Sequence, residues 1–262
     1  MIEPVILILP DIHGRDFYTE AVQEAISKDI EIVCLGDYLD PYRGDSLHEG
    51  GVMEPLKELM AVKNSRPEKT HLLLGNHDCS YFHDPYMCRV RFDIDNAPLY
   101  QEFFFKNASQ FSLFHDTTIG GRRFLFSHAG ITRRWLSETG NDNIDGLLEW
   151  LENGFNEYCV DRTKDSLWNL LSHVGEERGG WDKSGSLIWA DVREYLDMFN
   201  DLQEGNLIQI VGHTQLVSHP VRISSRLYCL DCREPFYIDS SGTIRSWKTD
   251  ESIMDKYDIQ KQ

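Results

Sequence analysis

Basic residues are scarce in this chain: 26 Lys and Arg stand against 43 Asp and Glu, a formal net charge of −17 at pH 7. A nucleic-acid groove or a surface for anionic lipid needs clustered Lys and Arg, so neither nucleic acid nor membrane is expected as a partner. Long apolar runs are missing as well. The opening run, Val5 to Leu9, is far shorter than a signal h-region or a membrane span, and no basic n-region or cleavage site accompanies it, so a cytoplasmic protein is expected. Six cysteines in 262 residues do not make a disulfide scaffold. Cys229 and Cys232 form a lone C-x-x-C without the second pair of a zinc finger. No repeat and no low-complexity segment occurs, and the length suits one layered domain over residues 1–262.

What the chain has is a set of short apolar runs that end in polar residues. Val5 to Leu9 leads to Asp11 and His13, Glu31 to Leu35 to Gly36-Asp37, His71 to Leu74 to Gly75-Asn76-His77-Asp78, Phe124 to Phe126 to His128, and Leu207 to Val211 to Gly212-His213. Each reads as a buried strand. An open sheet gathers its ligand sites at the carboxyl ends of its strands, so five such ends meeting in space would form a cluster of carboxylate, amide and imidazole groups suited to metal.

Between these runs, helical spacing over Asp16 to Asp29 and Val52 to Val62 predicts a β-α-β-α-β start, with Pro55 in a first helical turn where its missing N–H costs little. Residues 79 to 98 mix aromatics with charges and are expected to form a loop over the site, a candidate substrate wall. Helix is expected over Leu99 to Phe111, then a hairpin of Leu113 to Thr118 and Arg122 to Ser127 around Gly120-Gly121. Residues 131–187 are expected to be a helical, cap-like insertion, Val192 to Leu202 a further helix, and the acidic stretch Asp191 to Glu204 its solvated face. Four short alternating runs after His213 predict a β-meander.

In order, the chain carries D-x-H (Asp11, His13), G-D-x-x-D (Gly36, Asp37, Asp40), G-N-H-D (Gly75 to Asp78), H-A-G (His128 to Gly130) and G-H-T (Gly212 to Thr214). Taken singly, an Asp or His at a strand end is more often a turn former or a helix cap than a ligand. Together they closely resemble the calcineurin-like metallophosphoesterase superfamily, nearest to its serine/threonine phosphoprotein phosphatase and diadenosine tetraphosphatase branch. The resemblance runs from Asp11 to about Asp231.

It implies an α/β fold, an αββα sandwich of two mixed sheets flanked by helices, with a dinuclear metal site at the loop edge. It implies that Asp11 and His13 bind one metal, that Asn76, His128 and His213 bind the other, and that Asp37 bridges both. Two divalent cations are implied, manganese first with iron or zinc as alternatives, since mixed Asp, His and Asn ligation suits these better than calcium or magnesium. His77 would protonate the leaving oxygen, with Asp40 orienting its ring, and Asn76 and Arg43 would contact the substrate phosphate. Arg43 lies further from the motif than in phosphoprotein phosphatases, because Pro41-Tyr42 intervenes. Gln215 stands where many relatives carry a further His, as in the phosphoprotein branch, and Trp189-Ala190-Asp191 resembles that branch's Trp-Ser-Asp. The implied activity is hydrolysis of a phosphoester: a phosphorylated small molecule, nucleotide or phosphoprotein. A diadenosine tetraphosphatase-like enzyme and a non-catalytic scaffold are the alternatives. No motif holds His48, His71, His83, His115, His173 or His219.

Overall fold

The structure is a computed structural model and describes residues 3–83, 91–197, 199–202, 204–216 and 219–253. Along the apolar runs, alternate residues turn to opposite faces, as the strand period of two requires. In β1 (Pro4–Leu9), β2 (Glu31–Cys34) and β3 (Thr70–Leu73), Ile6, Ile8, Val33 and Leu73 point to one side and Leu7, Leu9, Ile32, Cys34 and Leu72 to the other. Both sides are buried, which is why these strands read as unbroken hydrophobic runs.

These strands run parallel and are extended by the two-residue β4 (Phe111–Ser112). On the free edge of β1, β10 (Phe236–Asp239) and β11 (Ile244–Ser246) add antiparallel, giving the order β11-β10-β1-β2-β3-β4. A second mixed sheet has the order β5-β6-β7-β9-β8, from β5 (Phe114–Ile119), β6 (Arg122–Ser127), β7 (Leu207–Val211), β8 (Val221–Ser224) and β9 (Leu227–Cys229). Phe124, Phe126, Ile208 and Ile210 of this sheet meet Ile6, Ile8, Val33 and Leu73 in the layer between the sheets. The expected sandwich of two mixed sheets is present.

Helices α1 (Thr19–Ser27), α2 (Glu54–Ser65) and α4 (Ala97–Lys106) share the hydrophobic cluster that holds Leu7, Ile32 and Leu72. The helical segment after residue 131 contains α5 (Arg133–Glu138), α6 (Ile144–Val160) and α7 (Ser166–Leu171), and its Trp135, Leu147, Leu151 and Phe155 belong to that same cluster. No helix among the described residues is long and apolar enough to cross a membrane.

Three sequence expectations are corrected. Residues 76–82 form a helix, α3 (Asn76–Phe82), and not the start of a loop. Every residue of it is buried, so it has no polar stripe, and without one the helical period cannot show. Tyr81 and Phe82 are therefore core residues: Phe82 stacks on Phe155 of α6 at 5.4 Å. Val192–Leu196 is a short 3-10 turn where a longer helix was expected, and its acids are not solvated. Asp191 and Glu194 are buried, Asp191 paired with Arg178 and Arg193, and Glu194 accepting from Ser184 Oγ and the Asp191 N–H. The four C-terminal strands do not make one meander, because β8 and β9 complete the second sheet while β10 and β11 cover the open edge of β1. Tyr86 and Cys88 lie outside the described residues.

Between Val211 and Leu207, β7 carries a buried amide, Gln209. Its Oε1 accepts from the Ile131 N–H at 2.8 Å and its Nε2 donates to the Ile131 carbonyl at 3.0 Å, so it substitutes for a strand partner just beyond His128. Gln209→Leu leaves both backbone groups buried and unpaired, and should lower stability by about 2–4 kcal/mol. Urea unfolding checks this: the midpoint should fall at unchanged slope, whereas an unchanged midpoint would mean that the clamp carries nothing.

Candidate metal centre

The turns after β1, β2, β3, β6 and β7 converge, and the backbone ties them to one another. Ile12 and His13 donate to the Asp37 carbonyl at 3.1 and 2.7 Å, and the Gly212 N–H donates to the His128 carbonyl at 2.9 Å. Side chains continue the weave: the His77 N–H donates to Asp37 Oδ1 and the His213 N–H to Asp11 Oδ1, both at 3.0 Å. Buried Asp78 accepts from the N–H groups of Asp37, Tyr38 and Gly75, at 2.7, 3.0 and 2.9 Å. Asp78 was legible in the G-N-H-D motif but its task was not. It holds the turns of β2 and β3 together.

Four side chains of the cluster sit on backbone that L-residues rarely adopt: His13, Asp37, Asp40 and His213 have φ of 46°, 52°, 58° and 62°. Such a conformation costs on the order of 1–2 kcal/mol per residue. Strain of this kind concentrates where function over-determines the geometry. Two glycines complete the cradle by having no Cβ. A methyl group on Gly75 would overlap Asp37 Oδ1 and approach His128 Cε1 to 2.7 Å, and one on Gly212 would overlap Asp11 Oδ1.

All six residues expected as metal ligands are buried here, together with His77 and Asp40. His13 Nδ1 lies 2.6 Å from the Leu39 carbonyl and His128 Nδ1 2.8 Å from the Leu35 carbonyl. A carbonyl only accepts, so Nδ1 carries the proton in each ring and the Nε2 lone pair faces the cluster. His128 Nε2 is 2.9 Å from Asn76 Oδ1, 3.1 Å from His213 Nδ1 and 3.5 Å from Asp37 Oδ2, and His13 Nε2 is 3.6 Å from the same Asp37 Oδ2. Acceptors are thus turned toward one another with no donor among several of them, an arrangement that bound cations relieve. The ligand atoms form two groups, His13 with Asp37 and His77, and Asp37 with His128 and His213, each within 4.8 Å, and Asp37 belongs to both.

The electrostatics agree. Burial, then the Asp11 charge, pushes the Asp37 carboxyl well above its usual range, and burial takes His13 down to about 3. A site that disfavours both its own carboxylates and its own imidazolium ions is one that divalent cations would balance. The residues present therefore fit a dinuclear centre.

His77 Nδ1 is 2.8 Å from Asp40 Oδ2, and Tyr81 donates its O–H to the other oxygen of Asp40. Burial pushes Asp40 up to about 7 and His77 down to about 3. Beside them lies a cleft of about 180 Å³, lined by Asp40, Pro41, Arg91, Phe92 and Tyr100 among others. Arg91 Nη2 donates to the Asp40 carbonyl at 2.9 Å, and its guanidinium sits 3.6 Å over the Tyr42 ring. Arg43 is exposed in the turn Tyr42 to Asp45, and among the described residues no contact joins it to the cluster. The two added residues that separate it from the motif carry it outward. Gln215 is exposed as well.

A search of curated protein sequences gave no match. The family model for the calcineurin-like phosphoesterases matches residues 4–216. The chain belongs to this family. It is a metallophosphoesterase, a hydrolase of phosphoester bonds, with the His and Asp groups of a dinuclear divalent centre. Among solved structures, a cold-active protein-tyrosine phosphatase of a psychrophilic Shewanella species aligns with a TM-score of 0.58 and 16% identity, over 93% of this chain and 80% of that one. A protein serine/threonine phosphatase from Saccharomyces cerevisiae aligns at 0.48 and 16%, over 89% and 72%. At 16% identity the first of these alignments speaks for the fold alone. The segment after residue 216 lies outside the matched span, yet its loop between β9 and β10 supplies Asp231, which is buried and has its carboxyl pushed up by burial and then by Asp11. No motif marked Asp231, Arg91 or Arg178.

Arg178 holds the far side of the phosphoesterase site. Its Nη2 donates to the His213 carbonyl and to Thr214 Oγ1, both at 3.0 Å, and its Nε pairs with Asp191 at 2.8 Å. Burial opposes ionisation of Asp191, but Arg193 and Arg178 outweigh it and hold the carboxyl below its usual range. Arg178→Ala should speed hydrogen exchange at the amides of residues 212–214 and leave β1 to β3 protected. Because the Asp191 carboxyl is depressed in the folded state, its stabilisation is present above the unfolded value of about 3.8 and lost as pH falls through the folded one. The stability gap between Arg178→Ala and wild type should therefore narrow below about pH 4, and a gap independent of pH would contradict the ion pair.

Proposed function

We propose that this metallophosphoesterase is a phosphomonoesterase of the serine/threonine protein phosphatase type, working with two manganese ions. The observation that carries the reading is the position of Asp37 in both ligand groups, with one carboxylate oxygen facing His13 and His128 alike. In this reading Asp11 and His13 hold one ion, Asn76, His128 and His213 the other, and Asp37 both. Bound divalent cations supply Lewis-acid activation of water and neutralise charge on the phosphoryl oxygens. Exposed Gln215 adds no further imidazole, and the Trp189-Ala190-Asp191 stretch, which follows the phosphoprotein branch, leads into the Arg178 and Arg193 pairs. A diadenosine tetraphosphatase-like hydrolase is the second reading, and the cleft beside Asp40, walled by Phe92 and Tyr100, favours it to the extent that one of these rings can stack on a base.

The protein's own groups divide the remaining work. His77 is anchored to Asp40 through Nδ1 and presents its other nitrogen to the leaving oxygen, and the proton delivered there is the one that the His77 and Asp40 pair shares, since Asp40 is pushed up to about 7 while the His77 ring alone stays neutral. Tyr81 and the Arg91 guanidinium keep Asp40 oriented for that task. For gripping the phosphate, Arg91 on the cleft wall is better placed than exposed Arg43, with Asn76 contributing its amide.

Asp37→Asn should lose bound metal and phosphoesterase activity together while the circular dichroism spectrum persists. Elemental analysis finding two metals per chain in that variant would remove the bridging role. His77→Ala should retain its metals and slow a seryl phosphate more than p-nitrophenyl phosphate, within the ~10²–10⁴-fold contribution of a positioned acid, since nitrophenolate hardly needs the proton. Equal slowing of both substrates would make His77 a phosphate contact, and loss of a metal would make it a ligand. A panel of phosphopeptide, bis-ester and diadenosine tetraphosphate, with manganese added, separates the two substrate readings.

A further inference from the structure

At the starts of β2 and β3, on the side of the sandwich where β5 approaches β3, three residues that no motif connects come together. Glu31 opens β2, His71 is the second residue of β3, and His115 is the second residue of β5 in the other sheet. Glu31 Oε1 lies 2.8 Å from His71 Nε2 and 2.9 Å from His115 Nε2. The two imidazoles are stacked, with centroids 3.7 Å apart and planes 23° from parallel. Their ligand atoms and the carboxylate oxygen all fall within 4.8 Å of one another.

An ion pair alone accounts poorly for this arrangement. Both Nε2 atoms are buried, yet neither has a hydrogen bond along its N–H direction, although the carboxylate is within 3 Å. Stacking two imidazolium ions face to face would be repulsive, and burial first of all holds His71 below its usual value. Neutral imidazole is the ligating form. Glu31 stays ionised: burial opposes it, but His115 and His71 bring it down to about 2.

We propose that Glu31, His71 and His115 form a second metal site, of the zinc class, that shares no ligand with the phosphoesterase centre and pins one sheet to the other where β5 approaches β3. Two imidazole nitrogens and one carboxylate oxygen are a zinc donor set that leaves the fourth position to water. The side chains are 19%, 17% and 28% exposed for His71, His115 and Glu31, so the cluster lies just below the surface. Zinc bonds of roughly 2.0–2.2 Å set tetrahedral ligand atoms about 3.3 Å apart, so on binding Glu31 withdraws by about 0.5 Å from each nitrogen and the two stacked rings turn so that both Nε2 lone pairs meet the ion. The ion closes a contact between β2 and β3 of one sheet and β5 of the other, and its role is structural.

The test uses the full chain, stripped with chelator and dialysed against zinc chloride, as wild type, Glu31→Gln and His115→Gln. Wild type should hold one zinc per chain more than either variant, zinc should raise its melting temperature further, and turnover of p-nitrophenyl phosphate with manganese should be the same in all three. If the strand-end centre bound no metal at all, wild type would still carry one zinc and the variants none, so the two assignments fail separately. Equal zinc content and equal melting shift in wild type and Glu31→Gln, the variant that preserves shape, would reduce the cluster to an ion pair and overturn the proposal.

Discussion

The carboxylate of Asp37 is the group on which the rest of the site depends. Its Oδ1 accepts the His77 N–H, its Oδ2 faces His13 and His128, its N–H is held by Asp78, and its carbonyl receives the N–H groups of Ile12 and His13. It is buried, on left-handed backbone, and close to the Asp11 charge. Each of these features opposes stability when taken alone. A buried carboxylate beside a like charge is tolerated only where hydrogen bonds and opposite charge compensate it. The turns of β1, β2 and β3 supply the hydrogen bonds, and divalent cations are the charge that the geometry calls for.

The sandwich makes this arrangement affordable by keeping the strained turns short. Parallel strands with apolar residues on both faces are fixed from both sides, by the inter-sheet layer and by the helices, so their carboxyl ends are held at rigid positions. Gln209 and Arg178 extend that rigidity to the segments after His128 and His213, which leave the sheet and have no strand neighbours of their own. A site with its supporting groups on packed elements can hold several like-charged ligands at close quarters, whereas loops alone would relax them apart.

How much of this was legible beforehand follows from where each signal lies. The strand ends could be read because an apolar run followed by Asp, His or Asn is a local pattern, and Asp11, His13, Asp37, Asn76, His77, His128 and His213 do meet in space. Helix α3 could not, because burial on all sides erases helical periodicity. The acids of residues 191–204 looked like a solvated face, which Asp197 is, but composition does not say that Arg178 and Ser184 wait elsewhere in the chain as partners for buried Asp191 and Glu194. Asp231 and Arg91 reach the site from distant segments. Glu31, His71 and His115 lie 40 and 44 residues apart in sequence and share no motif, so only the register of β2, β3 and β5 brings them together. Left-handed φ values at His13, Asp37, Asp40 and His213 leave no trace in sequence unless glycine occupies the position.

The central claim is that one carboxylate, that of Asp37, is shared by two cations. Electron paramagnetic resonance of the manganese-loaded protein tests it most directly, because ions about 3.5–4 Å apart across a shared carboxylate are spin-coupled. The account predicts a coupled multiline spectrum from manganese-saturated wild type. A spectrum of isolated manganese ions alone, at full loading, would contradict it.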